Sequence, residues 1–403
     1  MSVAVVDEFS GVARMLDKLV DAKVLPGASA LVMRDGREVL FHAAGFADVE
    51  GGDAVSRETI FRIYSMTKPV TAAAVMILVD DGVISLSDPV SKYIPELADL
   101  GVYVALGDQG IETTPARPAT VKDLLTHTAG YSYWFQPGSP VADLYDSELK
   151  AGRHELWRFV PSLGGLSGLA LALQRVPLVS QPGEKWHYSL SLEVAGLVVE
   201  RASGQLLDDF MSRRIFEPLG MVDTGFSVPP EKANRLASLY ETQPDGALTC
   251  VERGKDSVLL GEVPGLSGGG GLMSTIGDYA RFAEMLRQEG GLGGRRILST
   301  ASARAMMSPQ LEPYQLAELP ELAAFGLGGT GDGLGFGLGG AVVTRPSASA
   351  VPTVEGEYSW GGAASTTFWV DRKNNLSVIF MTQVVPPSTE MLWDQLHAAI
   401  YLP

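Results

Sequence analysis

Residues 59–79 read TIFRIYSMTKPVTAAAVMILV, which predicts a strand, a turn and a helix in that order. The apolar run 59–64 is typical of a strand, and residues 68–79 are typical of a largely buried helix that stops at Gly82. Pro69 fits the first helical turn, where a missing N–H costs little. Ser65 is therefore expected at the positive end of a helix, where developing negative charge is stabilised.

Ser65 and Lys68 are three residues apart, so on a helix they share one face, about one turn apart. A serine hydroxyl is a poor nucleophile until a base takes its proton, and a buried lysine can serve as that base. Taken alone, the pair fits a helix-terminal serine beside a surface lysine equally well. The same spacing recurs at Ser147 and Lys150 among acidic neighbours, and we interpret that copy as a solvated turn.

The composition narrows the classes of function. The chain has 403 residues, 46% of them hydrophobic, which suffices for one large domain or two interleaved ones. A formal charge of −16 argues against nucleic acid or an anionic membrane as a partner. The single cysteine, Cys250, allows no intrachain disulfide. We see no signal peptide and no membrane span in the sequence, so we expect a cytoplasmic location.

Apolar patterns divide the chain into three parts. Helical spacing over 8–24 is followed by strands at 28–33 and 38–44, joined by the hairpin signal Arg34-Asp35-Gly36. Residues 66–240 are mainly helical, and the tail returns to strands. The later predicted elements are helices at 121–126, 191–202, 207–217 and 389–400 and strands at 336–343, 365–370 and 376–382. Strands at both ends predict one α/β unit with a helical insertion.

Two more segments carry candidate site residues. Tyr188 precedes the helix at 191–202, and a tyrosine hydroxyl beside a cationic lysine can exchange a proton with Ser65. The segment Trp360-Gly361-Gly362-Ala363 lets the backbone come close to another group, so an N–H there can complete an oxyanion hole with that of Ser65. Taken singly, the tyrosine also fits an ordinary packed aromatic, and the glycine pair fits a β-turn.

A competing hydrolase motif, G-x-S-x-G, occurs at residues 265–269 and centres on Ser267. That motif requires a strand, the serine and a helix in succession, with acidic and histidine partners later in the chain. Here a proline-bearing loop precedes it, glycines follow it, and His397 is the only later histidine. We therefore interpret Ser267 as a loop serine. The histidines lack metal-ligand spacing, so we predict no metal site.

Ser65-x-x-Lys68, Tyr188-Ser189 and Trp360-Gly361-Gly362 follow one another in an order that resembles the serine β-lactamase and penicillin-binding-protein superfamily. The closest resemblance is to its class C β-lactamase-like group, the family VIII carboxylesterases. It extends over roughly residues 8 to 400 and includes four further segments: 124–130, 181–183, 217–221 and 269–275. The resemblance implies a β-lactamase/transpeptidase-like fold, an antiparallel sheet flanked by helices with a mainly helical inserted domain. The α/β domain would comprise residues 1–70 and 245–403, the helical domain would comprise 71–244, and the active site would lie between them.

The resemblance also implies roles for single residues. Ser65 would be the acylated nucleophile, Lys68 its activator and Tyr188 the proton shuttle, with the dominant base left open. The N–H groups of Ser65 and Ala363 would form the oxyanion hole. No cofactor is needed. The expected substrate-binding residues are His127, Tyr133, Trp134, Leu190, Trp360, Gly361 and Gly362.

Two departures from the lactamase pattern bear on the substrate. Leu190 stands where penicillin-processing relatives usually have an asparagine, and Trp360 stands where they usually have a lysine. The usual residues would bind the amide and carboxylate of a β-lactam, so their loss favours a neutral ester. Aromatic residues after Gly130 can add an apolar wall: Tyr131, Tyr133, Trp134 and Phe135.

We therefore predict a serine carboxylesterase that acts on small-molecule esters with short acyl chains through an acyl-enzyme on Ser65. A β-lactamase, a D-amino-acid peptidase or an acyltransferase of the same fold remains an alternative within the enzymes. A non-catalytic penicillin-recognising protein is the alternative outside them, against which the intact Ser65, Lys68 and Tyr188 argue. Monomer and homo-oligomer are both left open.

Overall fold

The computed structural model describes residues 9–108, 110–136, 138–149, 159–263, 265–318, 333–346, 351–387 and 389–402. The helices are α1 Ser10–Asp21, α2 Thr67–Asp80, α3 Val121–Leu125, α4 Ala142–Leu149, α5 Phe159–Ser162, α6 Leu166–Leu173, α7 Ser191–Ser203, α8 Leu207–Met211, α9 Glu217–Leu219, α10 Ile276–Arg287, α11 Thr300–Met306 and α12 Thr389–Tyr401. The first strands are β1 Gly27–Arg34, β2 Arg37–Asp48, β3 Asp53–Ala54, β4 Ile60–Arg62, β5 Gly101–Gly107, β6 Gly110–Pro115, β7 Leu239–Thr242 and β8 Leu248–Glu252. The later strands are β9 Met273–Thr275, β10 Gly291–Leu292, β11 Arg295–Arg296, β12 Leu334–Phe336, β13 Ala341–Val343, β14 Tyr358–Gly361, β15 Thr367–Asp371, β16 Leu376–Thr382 and β17 Val384–Val385.

Strands from both ends of the chain build the main sheet. Within the described ranges it has eight strands in the order β12-β13-β14-β15-β16-β1-β2-β3. β1 and β16 pair antiparallel, from Ala28 opposite Thr382 to Arg34 opposite Leu376. The predicted antiparallel sheet with a helical insertion is therefore confirmed, whereas the predicted domain boundaries stay a prediction.

The alternation of side chains along β1 and β16 separates two apolar layers. Ala28, Ala30 and Val32 share one cluster with apolar residues of α1 and α12. Leu31 and Ile379 belong to the large core on the opposite face, where α10 packs across β1, β15 and β16. The sheet thus lies between α1 and α12 on one side and α10 on the other.

Helix α2 runs through the large core beside α7. Its residues from Thr67 to Leu78 are all buried, as the apolar sequence predicts. Helix α7 ends at Gly204, whose left-handed conformation (φ 69°) provides the expected stop. No helix within the described residues is both long and apolar enough to cross a membrane.

Several elements differ from the predictions. The strand predicted over 336–343 is two strands, β12 and β13, because the chain reverses at residues 337–340 and Gly339 takes a φ of 78°. Trp360 and Gly361 lie in strand β14 rather than in a turn, and the next strand begins at Thr367. The largely helical block also holds the hairpin β5–β6, which its irregular apolar pattern did not indicate.

The interpretation of the second Ser-x-x-Lys copy as a turn was wrong at its first residue. Ser147 lies in helix α4, is exposed and donates a hydrogen bond to the Leu144 carbonyl. Lys150 lies outside the described residues. An exposed serine that bonds its own helix backbone has no activating partner in that contact.

Candidate active site

Ser65 lies in a short 3₁₀ turn, Tyr64–Met66, between β4 and α2. Tyr64 has a φ of 43°, a conformation that is uncommon for a non-glycine residue and that clusters at functional sites. The Tyr279 hydroxyl fixes the turn by donating to the Met66 carbonyl at 2.9 Å. The turn presents Ser65 half-buried, while its two neighbours are buried.

Lys68 lies one helical turn further on and is 1% exposed. Its Nζ donates to Ser65 Oγ at 3.1 Å and to the Gly269 carbonyl at 2.7 Å. It also faces the Tyr188 ring, 4.8 Å from its centroid. The Gly269 carbonyl engages one N–H of the lysine, which directs the rest of the nitrogen toward Ser65.

Tyr188 reaches the same oxygen from the segment that precedes α7. Its hydroxyl donates to Ser65 Oγ at 2.7 Å. The structure therefore brings Ser65, Lys68 and Tyr188 together around one oxygen atom, at distances suited to proton exchange. Either partner can take the Ser65 proton once it has released its own.

Strand β14 passes close behind the Ser65 turn. A Cβ on Gly362 would lie 2.4 Å from the Ile63 carbonyl oxygen and 2.3 Å from Thr366 Oγ1, so a side chain there would clash. This close approach is what the glycines predicted. Ala363 follows, half-buried, and packs beside Tyr64. Its role in an oxyanion hole, with the N–H of Ser65, stays a prediction.

Trp360 packs against the ring of Tyr188, and Leu190 follows Tyr188 by two residues in the chain. Both are fully buried. The Trp360 ring lies 5.6 Å from the Tyr188 ring and 5.3 Å from that of Phe336. Of the two residues that replace polar groups of the lactamase pattern, Trp360 therefore brings apolar surface against the ring of Tyr188.

His127 belongs to the same cluster, with its ring 4.9 Å from that of Tyr188. The Ser189 N–H donates to His127 Nδ1 at 3.3 Å, so the proton of the neutral ring lies on Nε2. Burial, with a smaller contribution from the charge of Lys68, holds the pKa of His127 well below 6.5. His127 is therefore a neutral packing and orienting group at neutral pH.

A strip of three aromatic side chains leads from this cluster to the surface. Tyr133 and Trp134 are buried, whereas Phe135 is 37% exposed. Phe135 stacks on Tyr133 at 4.6 Å between ring centroids, and Tyr133 lies 5.3 Å from the Tyr188 ring. These aromatic rings therefore form a continuous strip from solvent to Tyr188, and their role as a wall of the substrate pocket stays a prediction. Tyr131, predicted as part of it, is buried.

Ser267 lies in a loop, without the strand before it or the helix after it that its motif requires. It is 3% exposed, and its hydroxyl donates to Glu193 Oε1 at 3.3 Å. The loop is fixed against α2, because the Thr71 hydroxyl donates to the Gly268 carbonyl at 2.6 Å. The loop serine therefore belongs to the support of Lys68 rather than to a second nucleophilic site.

Glu193 is the residue that the sequence analysis missed. It lies in the first turn of α7, five residues after Tyr188, and is 2% exposed. Burial raises the pKa of Glu193, and the charge of Lys68 partly offsets that rise. An acidic residue inside the apolar run SLEVAGLVV was the available signal. Within the described residues, no group of three potential metal ligands gathers at this site or elsewhere.

Comparisons with known proteins agree with this geometry. The beta-lactamase family model matches residues 12–401. Esterase EstB of Burkholderia gladioli is 31% identical, with 95% of this chain and 94% of EstB covered. Lovastatin esterase of Penicillium rubens is 32% identical, with 82% of this chain and 81% of that protein covered. The solved structure of EstCE1, described as a hydrolase with promiscuous acyltransferase activity, has a TM-score of 0.80 and 25% identity and covers 99% of this chain and 100% of its own. The chain therefore belongs to the beta-lactamase family and is a serine hydrolase of the kind that the family VIII carboxylesterases represent.

Proposed function

We propose that this protein is a carboxylesterase that cleaves short-chain carboxylic esters through an acyl-enzyme on Ser65. The observation that carries the proposal is the pair of contacts on Ser65 Oγ, from Tyr188 at 2.7 Å and from Lys68 at 3.1 Å. The names of two relatives, Esterase EstB and Lovastatin esterase, support ester cleavage as the reaction.

The proposed reaction has two halves. In the first, Lys68 or Tyr188 accepts the Ser65 proton as Oγ attacks the ester carbonyl carbon, and the N–H groups of Ser65 and Ala363 stabilise the oxyanion. The carbon–oxygen bond to the alcohol then breaks, and the alcohol leaves with the proton. In the second half, water attacks the acyl group, gives up a proton to the same pair and releases the acid, which restores Ser65.

The surroundings of the serine support a neutral substrate. Leu190 and Trp360 bring buried apolar surface where a β-lactam would need an amide donor and a cation. The strip from Tyr133 to Phe135 offers aromatic contact to an acyl or alcohol group. Cleavage of β-lactams is accordingly expected to be slow beside that of esters.

An acyl group on Ser65 can also pass to an alcohol in place of water. The description of EstCE1 as a hydrolase with acyltransferase activity supports this as the second candidate function. Both functions use the same acyl-enzyme and differ in the group that attacks it.

The test compares p-nitrophenyl acetate, butyrate and octanoate with a chromogenic cephalosporin, for wild type and Ser65→Ala. Fast Ser65-dependent cleavage of the shorter esters, with slow cephalosporin turnover, supports the proposal. Dominant cephalosporin turnover would make the protein a lactamase. Adding a primary alcohol and measuring new ester against free acid separates transfer from hydrolysis. Absence of turnover, with no labelling of Ser65 by a fluorophosphonate, would contradict both functions.

A further inference from the structure

Glu193 is a buried carboxylate whose hydrogen bonds to other side chains are long. The Ser267 hydroxyl donates to its Oε1 at 3.3 Å, and the Tyr133 hydroxyl lies 3.4 and 3.5 Å from its two oxygens. No basic side chain of the described residues forms an ion pair with it. A buried carboxylate without a close cation is costly to keep, so its presence calls for a functional reason.

The carboxylate lies directly against the main chain that holds Lys68. A Cβ on Gly269 would lie 2.2 Å from both carboxylate oxygens of Glu193, so a side chain there would displace the carboxylate from this contact. The carbonyl of the same Gly269 accepts the 2.7 Å hydrogen bond from Lys68 Nζ. A single residue therefore separates the buried carboxylate from the proposed activator of Ser65.

The two groups also interact electrostatically. Desolvation raises the pKa of Glu193, and the positive charge of Lys68 acts in the opposite direction. This interaction is reciprocal, because a negative charge on Glu193 stabilises the ammonium form of Lys68 by the same free energy.

Other titratable groups lie near Glu193 and Lys68, but none of those on the packed elements named below is a second buried carboxyl group. The loop before α4 brings Tyr133, whose pKa burial raises well above 10, and His127, whose pKa burial lowers. The segment before α7 brings Tyr188. Helix α6 has the sequence LSGLALAL and no titratable side chain. The remaining charged groups of neighbouring helices lie elsewhere: Asp208 and Asp209 are exposed, Asp123 bonds Thr120 and Thr128, Lys122 is half-buried, and Asp80 bonds Ser299 and Ser302.

We infer that Glu193 is a positioning residue for acyl transfer, whose carboxylate acts across Gly269 to hold the proton on Lys68 and so sets the pH at which Ser65 becomes nucleophilic. The inference rests on the proposed function, because it assigns Lys68 to the activation of Ser65. Ser267 serves the same end, since its hydroxyl stabilises the charged carboxylate.

The test measures the rate of Ser65 labelling by a fluorophosphonate from about pH 5 to about pH 9. Glu193→Gln keeps an oxygen that can accept the bonds from Ser267 and Tyr133, and removes only the charge. The acidic limb of its profile is expected to move to lower pH by about one to two units, the effect of one charge within roughly 12 Å in a protein of effective dielectric constant about 20. Glu284→Gln is the matched control, a buried glutamate on α10 bonded to Arg287 and Ser377, and its limb is expected to coincide with that of wild type.

The outcomes separate this inference from the proposed function. If wild type is labelled at Ser65 and its labelling rate falls in acid at the same pH as that of Glu193→Gln, the positioning role is overturned and the esterase proposal stands. If wild type is not labelled at Ser65, both the positioning role and the esterase proposal are overturned. If Glu193→Gln does not fold, Ser267→Ala takes its place, because loss of the hydroxyl makes Glu193 keep its own proton to a higher pH. A smaller shift of the acidic limb of the labelling profile to lower pH supports the inference, and an acidic limb at the wild-type pH overturns it.

Discussion

Two serine motifs of this molecule meet at one lysine and differ in every physical property that makes a nucleophile. Ser65 is half-buried, follows the left-handed Tyr64, and receives hydrogen bonds from Lys68 and Tyr188. Ser267 is 3% exposed, and its hydroxyl donates a hydrogen bond to the Glu193 carboxylate. Its loop reaches the same lysine only through the Gly269 carbonyl. Exposure and the partners of the hydroxyl, rather than a five-residue pattern, therefore single out Ser65 over Ser267 as the candidate nucleophile.

The comparison is tested most strongly by removing each hydroxyl in turn. Ser65→Ala is expected to lower kcat/KM for p-nitrophenyl butyrate by at least roughly 10³-fold, because no other oxygen can form the acyl-enzyme. Ser267→Ala is expected to retain most of the activity at the pH optimum. Both values come from initial rates, with circular dichroism as the check on folding. Loss of activity in Ser267→Ala, with Ser65→Ala active, would reverse the assignment of the two serines.

Removing the phenolic oxygen of Tyr188 tests the partners of Ser65. Tyr188→Phe keeps the ring that packs on Trp360 and His127 and is expected to lower kcat by about 10²- to 10³-fold, the usual size of a lost proton-transfer group. Tyr145→Phe is the control, since that buried hydroxyl donates to the Pro177 carbonyl at 3.4 Å and not to Ser65. Equal kcat values for the two variants would remove Tyr188 from the proton-transfer step and leave Lys68 as the base.

The sequence alone predicts some parts of the candidate site and of the fold better than others. The placement of Ser65 and Lys68 follows from local rules, because helical spacing and an apolar helix determine which side chains share a face. Tyr188 and the segment around Gly362 are distant in sequence, and the family resemblance was needed to bring them to Ser65. The sheet follows from the strong apolar patterns of β1 and β16, whereas the glycines at 337–340 concealed a reversal between β12 and β13.

Glu193 shows why the rest could not be predicted. An acidic residue in the first turn of a helix is ordinarily favourable and exposed, so the apolar run around Glu193 signals that its carboxyl is buried but not what the carboxyl contacts. Its burial arises from the loop at 267–271, more than seventy residues later, which closes over it. Local sequence cannot report a contact whose other half lies that far along the chain.

A substitution at Gly269, whose carbonyl links the Ser267 loop to Lys68, is expected to change the rate less than the substitutions above. Gly269→Ala would place a Cβ 2.2 Å from the Glu193 carboxylate, so either that side chain or the main chain that binds Lys68 must shift. We expect kcat/KM to fall by about 10- to 100-fold, as for a displacement of about 1 Å at a reacting centre. Gly277→Ala is the control, because a Cβ there meets nothing within 4 Å and alanine is the better helix former. If both variants keep wild-type rates, the Ser267 loop does not position Lys68.

The smallest effect is on stability, and two buried glutamates should show it with opposite signs. Desolvation raises the pKa of Glu193 above 4.5 in the folded protein. At a pH between 4.5 and the higher folded-state pKa, Glu193 holds a proton in the folded state that it has lost in the unfolded state. The free energy of unfolding of wild type therefore falls as pH rises through this interval. Glu193→Gln has no such proton, and its melting temperature relative to wild type should increase with pH, by the equivalent of about 1.4 kcal/mol per unit of pKa difference.

Glu284 supplies the contrasting case. Desolvation raises its pKa, but hydrogen bonds from Arg287 and Ser377 outweigh that effect, and the net pKa lies below 4.5. Its ionised form therefore contributes stability that is present above pH 4.5 and is lost as pH falls through the folded-state pKa. Glu284→Gln should melt below wild type at neutral pH, and the gap should narrow in acid. Thermal unfolding of both variants across pH measures the two slopes. Slopes of the same sign would mean that Glu193 has a close cationic partner, and the carboxylate would then be a structural ion pair rather than a group kept in place for Lys68.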